Sequence, residues 1–196
     1  MRKLFNYAFL LLAGPFLLAG CLPEEGEEAL KYKGPEVVEF KNQYLGVLST
    51  VLQSKGILTS PASTVQTDSS RTITPRAYRL NATTTLGART VDSVLVQLVG
   101  PQRSTETVVN FEVVSTSTAV KGTDYTFDAR HANNTVTIPA NSSQGYILIR
   151  PIAGGSAPGT TKRIILKLTG NQELHASPNY DNFYLSIYQP TTEQQL

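Results

Sequence analysis

The chain has 196 residues, of which 40% are hydrophobic and 16% charged, with 14 Gly and 11 Pro. That is enough apolar material for one domain with a real core, and it excludes a disordered or supercharged chain. The formal net charge of +2 comes from Arg2 and Lys3: without them Lys+Arg falls from 17 to 15 against 15 Asp+Glu, so no cationic excess is left for a nucleic-acid partner.

Arg2-Lys3 is a short cationic start, and residues 4–19 are mostly Leu, Phe and Ala. The run is a little short for a membrane span and holds Gly14-Pro15. It ends in Leu18-Ala19-Gly20-Cys21, around the only cysteine of the chain. This stretch resembles the bacterial lipobox. The resemblance implies that residues 1–20 are a lipoprotein signal peptide, with Leu18, Ala19 and Gly20 read by the signal peptidase. It also implies that the Cys21 sulfur carries lipid, which leaves no thiol nucleophile and no disulfide. Several acyl chains hold a protein far more firmly than one. Residues 21–35 then read as a lipidated acidic tether. Leu22 is not the aspartate that resembles an inner-membrane retention signal. Glu24, Glu25, Glu27 and Glu28 resemble the surface-export signal of Bacteroidetes-type lipoproteins, and they also suit a solvated, self-repelling linker. Outer-membrane anchoring through lipid, facing outward, is therefore expected.

Abundant Ser, Thr and Val beside Gly and Pro favour strands and tight turns. Val37-Val38-Glu39-Phe40 predicts a first strand. Residues 44–52 fit either a strand or a short helix, because the Leu45, Leu48, Leu52 stripe competes with Gly46 and β-branched neighbours. Residues 53–70 form a long Ser/Thr-rich loop with Pro61. Residues 72–80 predict a strand that Pro75 breaks or confines to an edge. From there the period is two. Val94, Val96 and Leu98 alternate, as do Val109, Phe111 and Val113, then Val136 and Ile138. Ile147 and Ile149 follow, with Tyr146 and Leu148 on the other face. Ile164, Leu166 and Leu168 form the next run. Phe183, Leu185 and Ile187 form the last, opposite Tyr184 and Tyr188. The turn signals between these runs predict an all-β antiparallel sandwich, not βαβ units. Residues 36–90 supply its N-terminal strands and loop, and 91–190 its core.

Val109-Asn110-Phe111-Glu112-Val113, followed by Thr118-Ala119-Val120-Lys121-Gly122-Thr123-Asp124-Tyr125, resembles the Calx-beta signature of a strand and a T-A-x-x-G-x-D-Y turn. Residues 135–143 and 163–168 resemble the rest of that unit. The layout from about Val91 to Tyr188 is similar to a family of Bacteroidetes surface lipoproteins of unknown function. The resemblance implies an immunoglobulin-like sandwich. Chemically the turn is sensible: Gly122 permits a positive φ, Asp124 can accept from turn N–H groups, and Tyr125 can bury its ring. One departure bears on calcium. Calcium-binding members carry acids in the loop before the penultimate long strand, where this chain has Gly159-Thr160-Thr161-Lys162-Arg163. A hard cation wants six or more oxygens, and only Asp124, Asp128 and Asp181 are near.

Reaction chemistry is hard to find. His131 and His175 fall in predicted turns, without metal-ligand spacing, and no G-x-S-x-G or phosphate-cradling loop occurs. No cofactor, no metal and no catalytic residue are expected. Two features could contact a ligand: Tyr184 and Tyr188 on one strand face, and the basic stretch holding Arg71, Arg76, Arg79 and Arg89. Of these, Tyr184, Tyr188, Arg76 and Arg79 form the candidate ligand face; covering a sheet or a solvated face is the plainer role. Asp92-Ser93-Val94 resembles a Bacteroidetes O-glycosylation acceptor at a strand start. The function expected is a non-catalytic, surface-displayed binding or scaffold module, within a complex that captures glycans or proteins. The rivals are a calcium-stiffened adhesion module and a surface glycan hydrolase, whose paired carboxylates would meet only in space.

Overall fold

The computed structural model describes residues 32–41, 70–79, 82 and 85–195. Residues from Pro35 onward belong to one unit; of the other, 1–34, only Tyr32, Lys33 and Gly34 are described. In chain order the strands are β1 Val37–Lys41, β2 Ser70–Ile73, β3 Tyr78–Arg79, β4 Thr85–Leu86, β5 Asp92–Val99 and β6 Thr107–Val113. They continue with β7 Tyr125–Phe127, β8 Thr135–Ile138, β9 Gln144–Pro151, β10 Thr161–Gly170, β11 His175–Ala176 and β12 Asn182–Tyr188. A single 3-10 turn, Ala129–His131, lies between β7 and β8.

The protein is an all-β sandwich. One sheet has the order β11-β1-β5-β9-β7 and the other β2-β12-β10-β6-β8, with β3 and β4 as a small hairpin beside them. Alternation explains the core. Val94, Val96 and Leu98 of β5 and Ile147 and Ile149 of β9 point inward from the first sheet. Val109, Phe111, Ile164, Leu166, Leu168, Phe183, Leu185 and Ile187 answer from the second. Each such side chain is worth about 1.5–3 kcal/mol when taken out of water, so the two inner faces hold the layers together. Aromatic rings bridge them: Phe40 lies 5.8 Å from Phe183, and Phe111 5.3 Å from Phe127.

Pairing is antiparallel in the body of both sheets. Two short edge pairings, β1 with β11 and β12 with β2, are parallel. β2 is the outer strand of its sheet and stops at Ile73, two residues before Pro75, as a residue with no N–H to donate requires. The chain then re-pairs as β3 and β4. Ser70 is the first residue of β2 rather than the last of the preceding loop. Tyr125, expected to close a turn, also opens β7. Residues 44–52 and 53–69 lie outside the described residues.

Candidate functional site

Leu18, Ala19, Gly20, Cys21, Glu24, Glu25, Glu27 and Glu28 lie outside the described residues. Among the described residues no helix is long and apolar enough to cross a membrane. The structure therefore bears on the turn, the aromatic and basic face, and the histidines.

The 119–125 turn is a local lock. Gly122 has φ +85, a value that side chains bearing a Cβ rarely adopt, and its N–H donates to Tyr125 O at 2.7 Å. Asp124 is buried. One carboxylate oxygen accepts from Val120 N at 2.7 Å, the other from the Ser156 hydroxyl. Its own carbonyl accepts from Ile152 N at 2.8 Å. Asp124 thus ties its turn to the 152–156 loop. That loop packs so closely that a Cβ at Gly155 would strike Thr123 O. Tyr125 is buried edge-on to Phe127, with ring centroids 5.4 Å apart, and burial pushes its phenol pKa up.

The candidate ligand face separates into two places. Tyr184 is exposed on β12, level with Ser70 of β2 and Ile165 of β10. Tyr188, four residues on, is half-buried and packs at a tilt against buried Tyr78, ring centroids 5.4 Å apart. Its hydroxyl donates to Gln194 Oε1 at 2.7 Å. Arg76 and Arg79 lie beside this second group: Arg76 Nη1 donates to Gln195 Oε1 at 2.8 Å, and Arg79 N to Gln194 O at 2.7 Å. So Tyr188, Arg76 and Arg79 share one corner with the segment 191–195, beyond the expected end of the sandwich at residue 190. The basic stretch is not one solvated patch. Arg71 is buried, its Nη2 donating to Asp92 Oδ2 at 2.6 Å and to Ser93 O at 3.0 Å. Asp92 is itself fully buried and Ser93 half-buried between central strands, unlike an exposed acceptor loop.

His175 is exposed on β11, whereas His131 is 4% exposed. Its Nε2 accepts from Leu148 N at 3.1 Å, so the network assigns the ring hydrogen to Nδ1, which donates to Thr135 O at 2.8 Å. The imidazole is a strut joining the 3-10 turn, β8 and β9. Asp128, just before that turn, bonds Arg130 Nε and Arg150 Nη2, each at 3.0 Å. The Arg130 side chain first, then Arg150, hold its pKa down at about 2. Asp181 accepts from its neighbour Asn182. Among the described residues no three His, Cys, Asp or Glu side chains gather as a metal set.

A cleft of about 550 Å³ opens along the side of β9 that β7 leaves uncovered. Arg130, His131, Thr137, Ser142, Gln144 and Tyr146 line it. Sequence reasoning placed Tyr146 opposite the inward Ile147 but saw no site there. Arg130 and His131 reach the cleft through a one-turn helix too short to leave a period. A second, more polar groove of about 440 Å³ lies at one end of the sandwich, between Arg103, Glu106, Val108, Asn171 and Glu173. There Arg103 bridges Glu36 at 3.0 Å and Glu173 at 2.7 Å.

No family model and no curated protein sequence matches the chain. Solved structures do resemble it. A Bacteroides ovatus protein of unknown function aligns over 79% of this chain and 52% of its own, at 12% identity and TM-score 0.46. CBD12 from CALX1.2 aligns over 62% of this chain and 42% of its own, at 15% identity and TM-score 0.43. A proposed carbohydrate-binding protein from Bacteroides ovatus aligns over 63% of this chain and 36% of its own, at 8% identity and TM-score 0.42. The chain thus spans between 36% and 52% of the length of these structures.

Proposed function

We propose that this chain is an outer-membrane lipoprotein, held by lipid on Cys21 and facing outward. Its β-sandwich would serve as a non-catalytic binding or scaffold module in a surface complex that captures glycans or proteins. The observation that carries this reading is the coincidence, within 28 residues, of a cationic start, an apolar run, Leu18-Ala19-Gly20-Cys21 and the cluster Glu24, Glu25, Glu27, Glu28. The sandwich supports the non-catalytic part, because Asp124, Asp128 and His131 are engaged in holding loops and strands. Both Asp124 oxygens are bonded, Asp128 is spent on two arginines, and His131 uses both ring nitrogens. The same partners speak against a calcium cage built on Asp124 and Asp128.

The test is cellular fractionation with surface proteolysis. The wild-type protein sediments with outer membranes, and protease added to intact cells degrades it. Cys21→Ala moves it to the soluble fraction. Protection from protease until lysis defeats outward display, and membrane retention of the Cys21→Ala protein defeats the lipid anchor.

A further inference from the structure

We infer that the cleft beside β9 is a saccharide site, in which a neutral sugar ring packs on Tyr146. This deepens the proposed function and rests on the sandwich being a binding module.

β9 pairs with β5 on one side, and on the other β7 covers it only from Ile149 onward. In this strand the N–H and C=O groups of Gln144, Tyr146 and Leu148 point away from β5, as the Asp128 N to Leu148 O bond of 3.1 Å shows. An open strand side normally invites another strand. Here it is largely closed already. Leu148 N is held by His131 and Leu148 O by Asp128 N. Gln144 N and O are both met by the Ser142 hydroxyl, at 3.1 and 3.2 Å. Of the three residues that face this side of β9, Tyr146 alone has neither its N–H nor its C=O bonded within the described residues. An added peptide strand would find one pairing position, too few for edge addition. A small ligand with hydroxyl groups could use both.

The walls fit the same ligand. Tyr146 is 42% exposed, and an exposed tyrosine ring offers a flat face to the C–H side of a sugar. Gln144 and Thr137 bring an amide and a hydroxyl able to donate and accept, as sugar hydroxyls do, and the Ser142 hydroxyl, whose hydrogen goes to Gln144 O, can still accept. Arg130 adds donors and is the one cation among the lining residues, but it is already tied to Asp128, which it shares with Arg150, so it is a weak anchor for an anion. This balance favours a neutral sugar over a phosphate or a uronate. His131 is fixed at both nitrogens, so that wall is set before a ligand arrives. A volume of about 550 Å³ falls within the usual range for small-ligand sites, roughly 300–1,000 Å³.

The experiment is affinity electrophoresis of the detergent-solubilised full-length protein in native gels. The gels are cast with starch, yeast mannan, laminarin, xylan or, as the acidic control, polygalacturonate. At least one neutral polysaccharide should retard the wild type, and Tyr146→Ala should weaken that retardation at least tenfold. Tyr184→Ala should leave it unchanged. Tyr146 is half exposed, so the Ala variant should melt with the wild type; if it does not, Gln144→Ala gives the same readout. Equal retardation of the Tyr146→Ala and wild-type proteins overturns the inference, as does loss only in Tyr184→Ala; both leave a binding module with its site elsewhere. Retardation by polygalacturonate alone, or by nothing, overturns the saccharide assignment. In either case crosslinking on living cells still reports whether the module has partners.

Discussion

At the scale of single residues, Tyr78 shows how burial and bonding can part company. The residue is 1% exposed, its ring against Tyr188, and among the described residues its hydroxyl has no hydrogen-bond partner. A buried hydroxyl without a partner costs roughly 1–3 kcal/mol. Tyr78→Phe keeps the ring and removes that cost, so it should be neutral or stabilising by about 1 kcal/mol in urea unfolding. A clear destabilisation would mean that the hydroxyl has a partner after all. Burial first, then Tyr188, pushes the phenol pKa up to about 12 from 10.0. The folded value exceeds the unfolded one, so the contribution is whole below pH 10 and is lost as pH rises toward 12. Wild-type stability should fall across that window, and Tyr78→Phe should flatten the fall. Asp124 is the opposite case, a buried acceptor with every oxygen in use. Asp124→Ala leaves Val120 N–H and the Ser156 hydroxyl without it and should cost roughly 1–3 kcal/mol. The equilibrium urea midpoint, with an unchanged slope, checks this.

At the scale of elements, the strands with four or more alternating residues were legible, because period two shows over that length; β2 was the exception, its first half reading as the end of the preceding loop or as no element. The two- and three-residue strands β4, β7 and β11 were not: they hold too few positions to alternate, while β3 falls in the far half of the 72–80 run that Pro75 breaks. The break at Pro75 was legible from covalent chemistry alone. The two parallel edge pairings were not, since a strand's direction relative to a distant neighbour leaves no mark on its pattern. The turn at Gly122 and Asp124 was legible as a turn, but its clasp on Ser156 joins residues 32 apart and appears only in space. His131 failed for the same reason: its partner Leu148 lies 17 residues away on another strand. That strut yields an element-scale prediction. His131→Ala should leave Leu148 N–H unpaired at the open side of β9 and cost roughly 1–3 kcal/mol. Amide exchange should quicken at Leu148 while β10 and β12 keep their protection, a local opening rather than a global one. Equal quickening in all three strands would show that the strut serves the whole fold.

At the scale of the molecule, the two sheets meet mainly through alternating apolar residues, which specify no single register between the layers. The Arg71–Asp92 pair supplies a directional contact. Arg71 comes from β2 at the edge of one sheet and Asp92 from the first residue of β5 inside the other. Their side chains are 7% and 1% exposed, and the Arg71 guanidinium also lies 5.4 Å from the centre of the Phe183 ring. The second Asp92 oxygen has only Arg89 Nε at 3.9 Å, beyond hydrogen-bonding reach. Such a pair repays its desolvation poorly, yet breaking it strands a charge in the core. Two outcomes therefore diverge. Arg71→Met leaves Asp92 buried with only the more distant, half-exposed Arg89 to compensate it and should cost about 3–5 kcal/mol. Arg71→Met with Asp92→Leu removes both charges and should recover most of that loss. The double-mutant cycle in urea measures the coupling directly. If the double variant is as unstable as Arg71→Met alone, the pair is not an electrostatic unit, and packing around Phe183 sets the register of the sheets instead.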